Sequence, residues 1–273
     1  MRMIIGLAVL SLTLTLPACG DEGESSSNND VTTSTDTGPA EDTAVVQEGS
    51  VTGTVVDESG AGVEGVMLLA CDDDSCITSK TDGSGSYSIV VPLGWRKMQM
   101  MGAAKGFVSM NFYQNVESTE PTVAGSDIVA IAASTEPAVA LSAADGGTVS
   151  LAGGALTVTA EAGVAVYPIG QTEEVTAVKV SAAHLPPYDM DAPWAGKEEG
   201  THAFHINPLP VKVAGEGQTF SFTVAGGTGD YAVYYVDDHY GTLHEAGTAS
   251  TDADGNTSGS VPVLTTLVLV PAG

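Results

Sequence analysis

Three short stretches carry side chains whose types and spacing could do chemistry. In "ACDDDSC", Cys71 and Cys76 enclose Asp72, Asp73 and Asp74. Two thiols this close, at what reads as a hairpin tip, predict a disulfide in an oxidising compartment. The three carboxylates supply the hard oxygen donors of which calcium takes about six to eight; a three-aspartate tip also reads as a solvated turn, the commoner case. In "TDADGN", residues 251–256, Asp252, Asp254 and Asn256 alternate onto one side. The EF-hand spacing is incomplete and Asp-Gly is a tight-turn dipeptide, so a hairpin is expected there. In "THAFHI", His202 and His205 stand three apart in a strand-like run, which turns them to opposite sides and argues against a shared metal.

No Gly-x-Ser-x-Gly elbow occurs, and the glycine-rich stretches sit in turns rather than between a strand and a helix. No catalytic residue and no resident cofactor are therefore assigned, calcium at Asp72, Asp73 and Asp74 being the one ion considered. Two aromatics, Tyr188 and Trp194, fall in "HLPPYDMDAPWAGKEEG", a long proline-rich loop. An exposed tryptophan there could stack on a sugar ring or anchor a protein partner. The alternative is a lid residue folded back over the core. Trp95, after "VPLG" at a strand end, is expected in the core.

The elements that must position these residues are strands. From Gly49 onward, runs such as "SVTGTVV", "SYSIVV", "TFSFTV" and "YAVYYV" alternate with Gly, Asp and Asn clusters, with hardly any helical periodicity. The fold class is all-β; the length of this part suits one large or two ordinary sandwiches, and with Pro137 as the best boundary two tandem β-sandwich domains are expected, residues 49–134 and 135–273.

The first 48 residues read differently. Arg2 precedes an apolar and hydroxyl run from Met3 to Leu16, shorter than the ~20 residues a spanning helix needs, and matching the core of a secretory signal. Leu16-Pro17-Ala18-Cys19 resembles the lipobox of bacterial lipoproteins, with proline a departure in the second place. The resemblance implies a signal peptide over residues 1–18, acylation of Cys19 and a lipid bilayer as partner. It also accounts for the odd cysteine, since Cys71 and Cys76 pair with each other. Gly20 follows where an aspartate would resemble an inner-membrane retention signal, so an outer-membrane lipoprotein is expected, facing the periplasm or the cell surface. Residues 19–48, rich in Asp, Glu, Ser and Thr, read as a disordered tether with a mean span of ~30 Å. With 8 basic and 34 acidic residues and a net charge of −26, nucleic acid is excluded as an electrostatic partner.

Residues 49–134 resemble the carboxypeptidase regulatory-like domain, a transthyretin-like sandwich with a carbohydrate-binding-like fold. Gly53, Val55, Asp57, Gly60, Gly65, Val66, Thr81, Asp82, Gly85, Tyr87, Gly106 and Phe107 carry the resemblance. Tyr87 is expected to plug the sandwich. Residues 135–273 are similar, more weakly, to the ZU-five sandwich, through "GGTVSLAGGALTVTAEAG" and "HAFHINPLPVKV"; "TAEAG" stands where relatives have Pro-Pro-Gly-Ala. Some of those relatives cleave themselves at a His-Phe-Ser element. Here Val263-Leu264-Thr265 keeps a hydroxyl but no histidine to take its proton, so no self-cleavage is expected. These resemblances imply a non-enzymatic envelope protein acting as an adhesion or ligand-binding module, its partner a glycan or an envelope protein. The alternative is a structural spacer in an envelope complex.

Overall fold

The computed structural model describes residues 46–124, 127–237 and 239–273. Cys19, the signal segment and nearly all of the tether lie outside the described residues.

Period-two patterning builds the first half. Its strands are β1 (Glu48–Asp57), β2 (Met67–Cys71), β3 (Cys76–Lys80), β4 (Ser86–Pro92), β5 (Gly94–Met101), β6 (Met110–Val116), β7 (Pro121–Val123) and β8 (Ile128–Ala130). In β4, Tyr87, Ile89 and Val91 point inward while Ser88 and Val90 are exposed, the alternation of a half-buried strand. One sheet runs β4-β1-β7, with β8 also pairing β1, and the other runs β3-β2-β5-β6. Val51, Val55 and Ile89 of the first sheet pack with Leu68, Met98, Met100 and Phe112 of the second. Tyr87 is buried, and a Cβ at its register partner Gly53 would lie 2.7 Å from the phenol oxygen. Glycine there gives the ring its room.

The second half comprises β9 (Val139–Ala140), β10 (Gly147–Leu151), β11 (Leu156–Ala160), β12 (Ala165–Val166), β13 (Glu174–Val180), β14 (His202–Asn207), β15 (Val211–Val213), β16 (Phe220–Ala225), β17 (Asp230–Val236), β18 (Leu243–Thr251), β19 (Asn256–Val261), β20 (Val263–Leu264) and β21 (Thr266–Pro271). A ten-stranded antiparallel sheet runs β10-β11-β16-β19-β18-β17-β21-β14-β13-β9, and β12-β15-β20 form a small second sheet. The large sheet curls so that Leu156, Val158 and Phe222 meet Phe204, Ile206 and Leu269 across one core. A bulge between β17 and β18, opposite Val233 and Tyr234 and next to Gly247 at φ 136°, supplies local bending.

The first core does not stop at the first half. Ala203 of β14 and Val268 and Val270 of β21 belong to it, together with Leu185 and Trp194 from the connection between β13 and β14. Phe204, Leu267 and Leu269, one residue along the same strands, belong to the second core. β21 is therefore buried on both faces, which is why it reads as the continuous apolar run "LVLV" rather than as an alternation. Burial of each such side chain contributes about 1.5–3 kcal/mol, so this seam couples the two halves strongly.

Candidate functional site

Cys71 and Cys76 form the disulfide, with Cα atoms 4.0 Å apart, closing the turn between β2 and β3. Within that turn the Asp72 carboxylate accepts the backbone N–H groups of Ser75 (2.8 Å) and Asp74 (3.0 Å). Those bonds, with the Arg96 guanidinium 3.7 Å away, hold its carboxyl below the usual range. Arg96 is itself buried on the inner side of β5, donating to the carbonyls of Pro92 (2.6 Å) and Trp95 (2.5 Å). Asp73 turns elsewhere and meets His239 Nε2 at 3.2 Å. The three aspartates are not brought together, and among the described residues no group of three or more His, Cys, Asp or Glu side chains is arranged to hold a metal ion.

The same local chemistry recurs at other turns. Asp252 accepts the backbone N–H groups of Asp254 and Asn256 at 2.9 Å each, so "TDADGN" is the hairpin between β18 and β19. Asp57 and Asp82 cap their own turns through Ser59 and Ser84. A side-chain carboxylate bonded to N–H groups two to four residues ahead stabilises a turn; its best acceptor oxygen is then already engaged.

The histidines separate as strand geometry requires. His202 meets the Tyr231 ring edge-on at 5.5 Å, whereas His205 points to the seam, where its Nδ1 lies 2.9 Å from Thr266 Oγ1. The His205 ring is wholly buried beside the Ser109 backbone and the Asn207 side chain, and burial pushes it down to about 4. Thr265 is buried with its hydroxyl donating to the Val236 carbonyl at 2.8 Å.

Trp194 takes the lid position, and Trp95 departs from the core. Trp194 is only 5% exposed and packs in the first core, edge-on to Tyr188 at 6.1 Å. Residues 181–201 fold back over the outer face of β14 and β21, so the indole closes that face as a lid and offers no ring for stacking. Tyr188 is half-buried, its hydroxyl is sunk beside Thr266, and burial raises its phenol. Both still border a cleft of about 520 Å³, with Pro186 and Met190. Trp95, expected in the core, lies instead on the outer side of β5, because Arg96, Met98 and Met100 take the inner positions. It meets Tyr240 edge-on at 4.8 Å, and Tyr240 meets His239 at 4.2 Å. The turn between β17 and β18 thus reaches the first sandwich; a Cβ at Gly241 would sit 2.5 Å from the Phe112 carbonyl.

A second cleft, of about 540 Å³, opens between the halves. One wall is the outer side of β5 with the following loop, presenting Gln99, Met101, Phe107 and Ser109; the other comes from β13 and β14, with Thr176 beside its register partner Asn207. Among the described residues, Glu174 is the one titratable side chain lining it. Sequence reasoning missed this site, whose contributors lie scattered between residues 99 and 209; Met101, an apolar residue at an outer position of β5, is a local trace of it.

Among the described residues no helix is long and apolar enough to cross a membrane. No family model and no curated protein sequence matches the chain. Similar solved structures include the Bacillus anthracis TIE protein, 11% identical over 83% of this chain with a TM-score of 0.28. This chain spans 29% of that protein's length. A DUF3823 family protein from Parabacteroides merdae ATCC 43184 is 10% identical, over 79% of this chain and 81% of that one, with a TM-score of 0.27. The major pilin subunit of Bacillus cereus is 9% identical, over 83% of this chain and 60% of that one, also at 0.27. Likenesses this distant carry no argument about activity; the structure is that of an all-β, sandwich-built chain.

Proposed function

We propose that the protein is a non-enzymatic cell-envelope binding module, held at the outer membrane by acylated Cys19, with residues 19–48 as tether and residues 49–134 and 135–273 as the two sandwich domains. The observation that carries this reading is the cleft between the halves. Among the described residues it is lined by neutral amide, hydroxyl and apolar side chains around a single titratable one. General acid-base chemistry needs a positioned proton donor and acceptor; that lining suits binding instead. Its volume falls within the roughly 300–1,000 Å³ of small-ligand sites.

A structural spacer is the second reading, favoured by the seam in which β14 and β21 are buried on both faces. The two are separated by a binding screen of the full-length protein against glycans and envelope extracts, run with calcium and with chelator. Saturable binding unaffected by chelator is the expected result, and a clean negative would leave the spacer. The anchor has its own test: Cys19→Ala should move the protein from the membrane pellet to the soluble fraction, and retention in the pellet would refute acylation there.

A further inference from the structure

We propose that the cleft between the sandwiches is a site for an uncharged saccharide. This names the ligand class of the binding module above and rests on that reading. The first support is unused hydrogen-bonding capacity. The side-chain amides of Gln99 and Gln171 and the hydroxyls of Ser109 and Thr176 line the cleft and make no hydrogen bond to other described residues. Gln99, Ser109 and Thr176 are half-buried, and their polar atoms stay open to the cleft rather than sealed off, so a ligand can pair them in place of water.

Charge is the second support. On a chain of net charge −26, a cleft with one carboxylate among its described lining side chains is a neutral window. Thr172 Oγ1 donates to that carboxylate, Glu174, at 3.2 Å. The surrounding acidity disfavours anionic ligands, and a single exposed carboxylate gives little purchase to cationic ones.

The walls themselves discriminate further. β5 is hydrogen-bonded to β2 and β6, and β13 to β9 and β14. β9 covers β13 only at Glu174 and Val175, whereas β5 is paired along both edges and presents a face, so an extended peptide cannot bind the β5 wall by adding a strand. Recognition falls to side chains: amides and hydroxyls for equatorial hydroxyl groups, with Met101 and Phe107 beside them for the apolar face of a sugar ring. The seam holds both walls in place, so the site is preformed.

The test is a titration of full-length protein, purified in detergent, against neutral oligosaccharides, their uronate-bearing counterparts and peptides. Neutral oligosaccharides should bind saturably. Gln99→Ala and Thr176→Val should each weaken binding about tenfold, the effect of roughly one lost hydrogen bond to a desolvated group, with unchanged melting temperature. Tyr240→Ala and Met190→Ala, outside the cleft, should stay within about twofold, a margin well under 1 kcal/mol. Neutral-sugar binding that survives both cleft substitutions, or falls with Tyr240→Ala instead, overturns the cleft assignment and leaves the binding module standing. Binding confined to uronates or peptides overturns the ligand class. No binding by any probe overturns this inference, and the negative in envelope extracts would separately remove the module.

Discussion

The hairpin tip at residues 71–76 and the cleft between the sandwiches are opposites in how they use polar groups. At the tip the chemistry is loud in the sequence and already engaged: Cys71 in a disulfide, Asp72 in two backbone hydrogen bonds, Asp73 against His239. In the cleft it is silent in the sequence and free, since Gln99 and Gln171 are unremarkable residues 72 positions apart that only the fold brings to one space. The tip motif is satisfied largely within itself, with His239 and Arg96 adding to it. A site assembled across two sandwiches carries no motif, and its groups can wait for a ligand.

The sharpest way to break this contrast is to loosen the tip from below. Arg96→Ala strips two backbone carbonyls of their donor and leaves a void on the inner side of β5; a loss of about 3 kcal/mol is expected in urea unfolding. A change below 1 kcal/mol would show that the guanidinium is not what braces the tip.

Acid probes the seam behind the cleft. His205 is held at about 4 by burial, below its ordinary 6.5, so the unfolded chain takes up a proton near pH 6.5 that the folded one refuses until about pH 4. Stability is then full above pH 6.5 and falls by about 3 kcal/mol as pH drops through that window. Burial pushes His202 the same way. His205→Gln should flatten the pH profile of the melting temperature between 6.5 and 4, and an unchanged slope would place the titration elsewhere.

Removing the disulfide should matter less. Replacing Cys71 and Cys76 with serine frees a short loop, worth about 2 kcal/mol in the chain-entropy account, or roughly 4–8 °C in melting temperature for a body of this size. Smallest of all is the effect on stability expected for Asp73→Asn, within about 0.5 kcal/mol for an exposed pair. Millimolar calcium should likewise leave the melting temperature unmoved; a rise that Asp73→Asn abolished would restore the tip as an ion site.

Much of the architecture could be read in advance because strand alternation is a local signal. Tyr87, Ile89 and Val91 mark the inner side of β4 within seven residues, and the five-residue spacing of Cys71 and Cys76 sufficed for the disulfide. Burial that depends on a distant partner was legible only in part, as one of two readings for Trp194 and not at all for Trp95. Trp194 sits in a stretch as polar and proline-rich as any surface loop, yet it is covered because that stretch folds over β14 and β21. Trp95 was displaced from the core by Arg96, whose charge would ordinarily argue for the outer position; the carbonyls of Pro92 and Trp95 that make the inner one tolerable appear only in three dimensions. For the cleft, the hydrogen-bonding capacity of Gln99 was visible, but not that nothing in the fold would use it.

The central claim is that the free groups between the sandwiches form the binding site, and methyl-resolved NMR of methionine-labelled protein titrated with a neutral oligosaccharide tests it most directly. Met101 borders that cleft and Met190 borders the one beneath Trp194. The account predicts a saturable shift of the Met101 methyl with Met190 unmoved. A shift at Met190 alone, or at neither under saturating sugar, would contradict it.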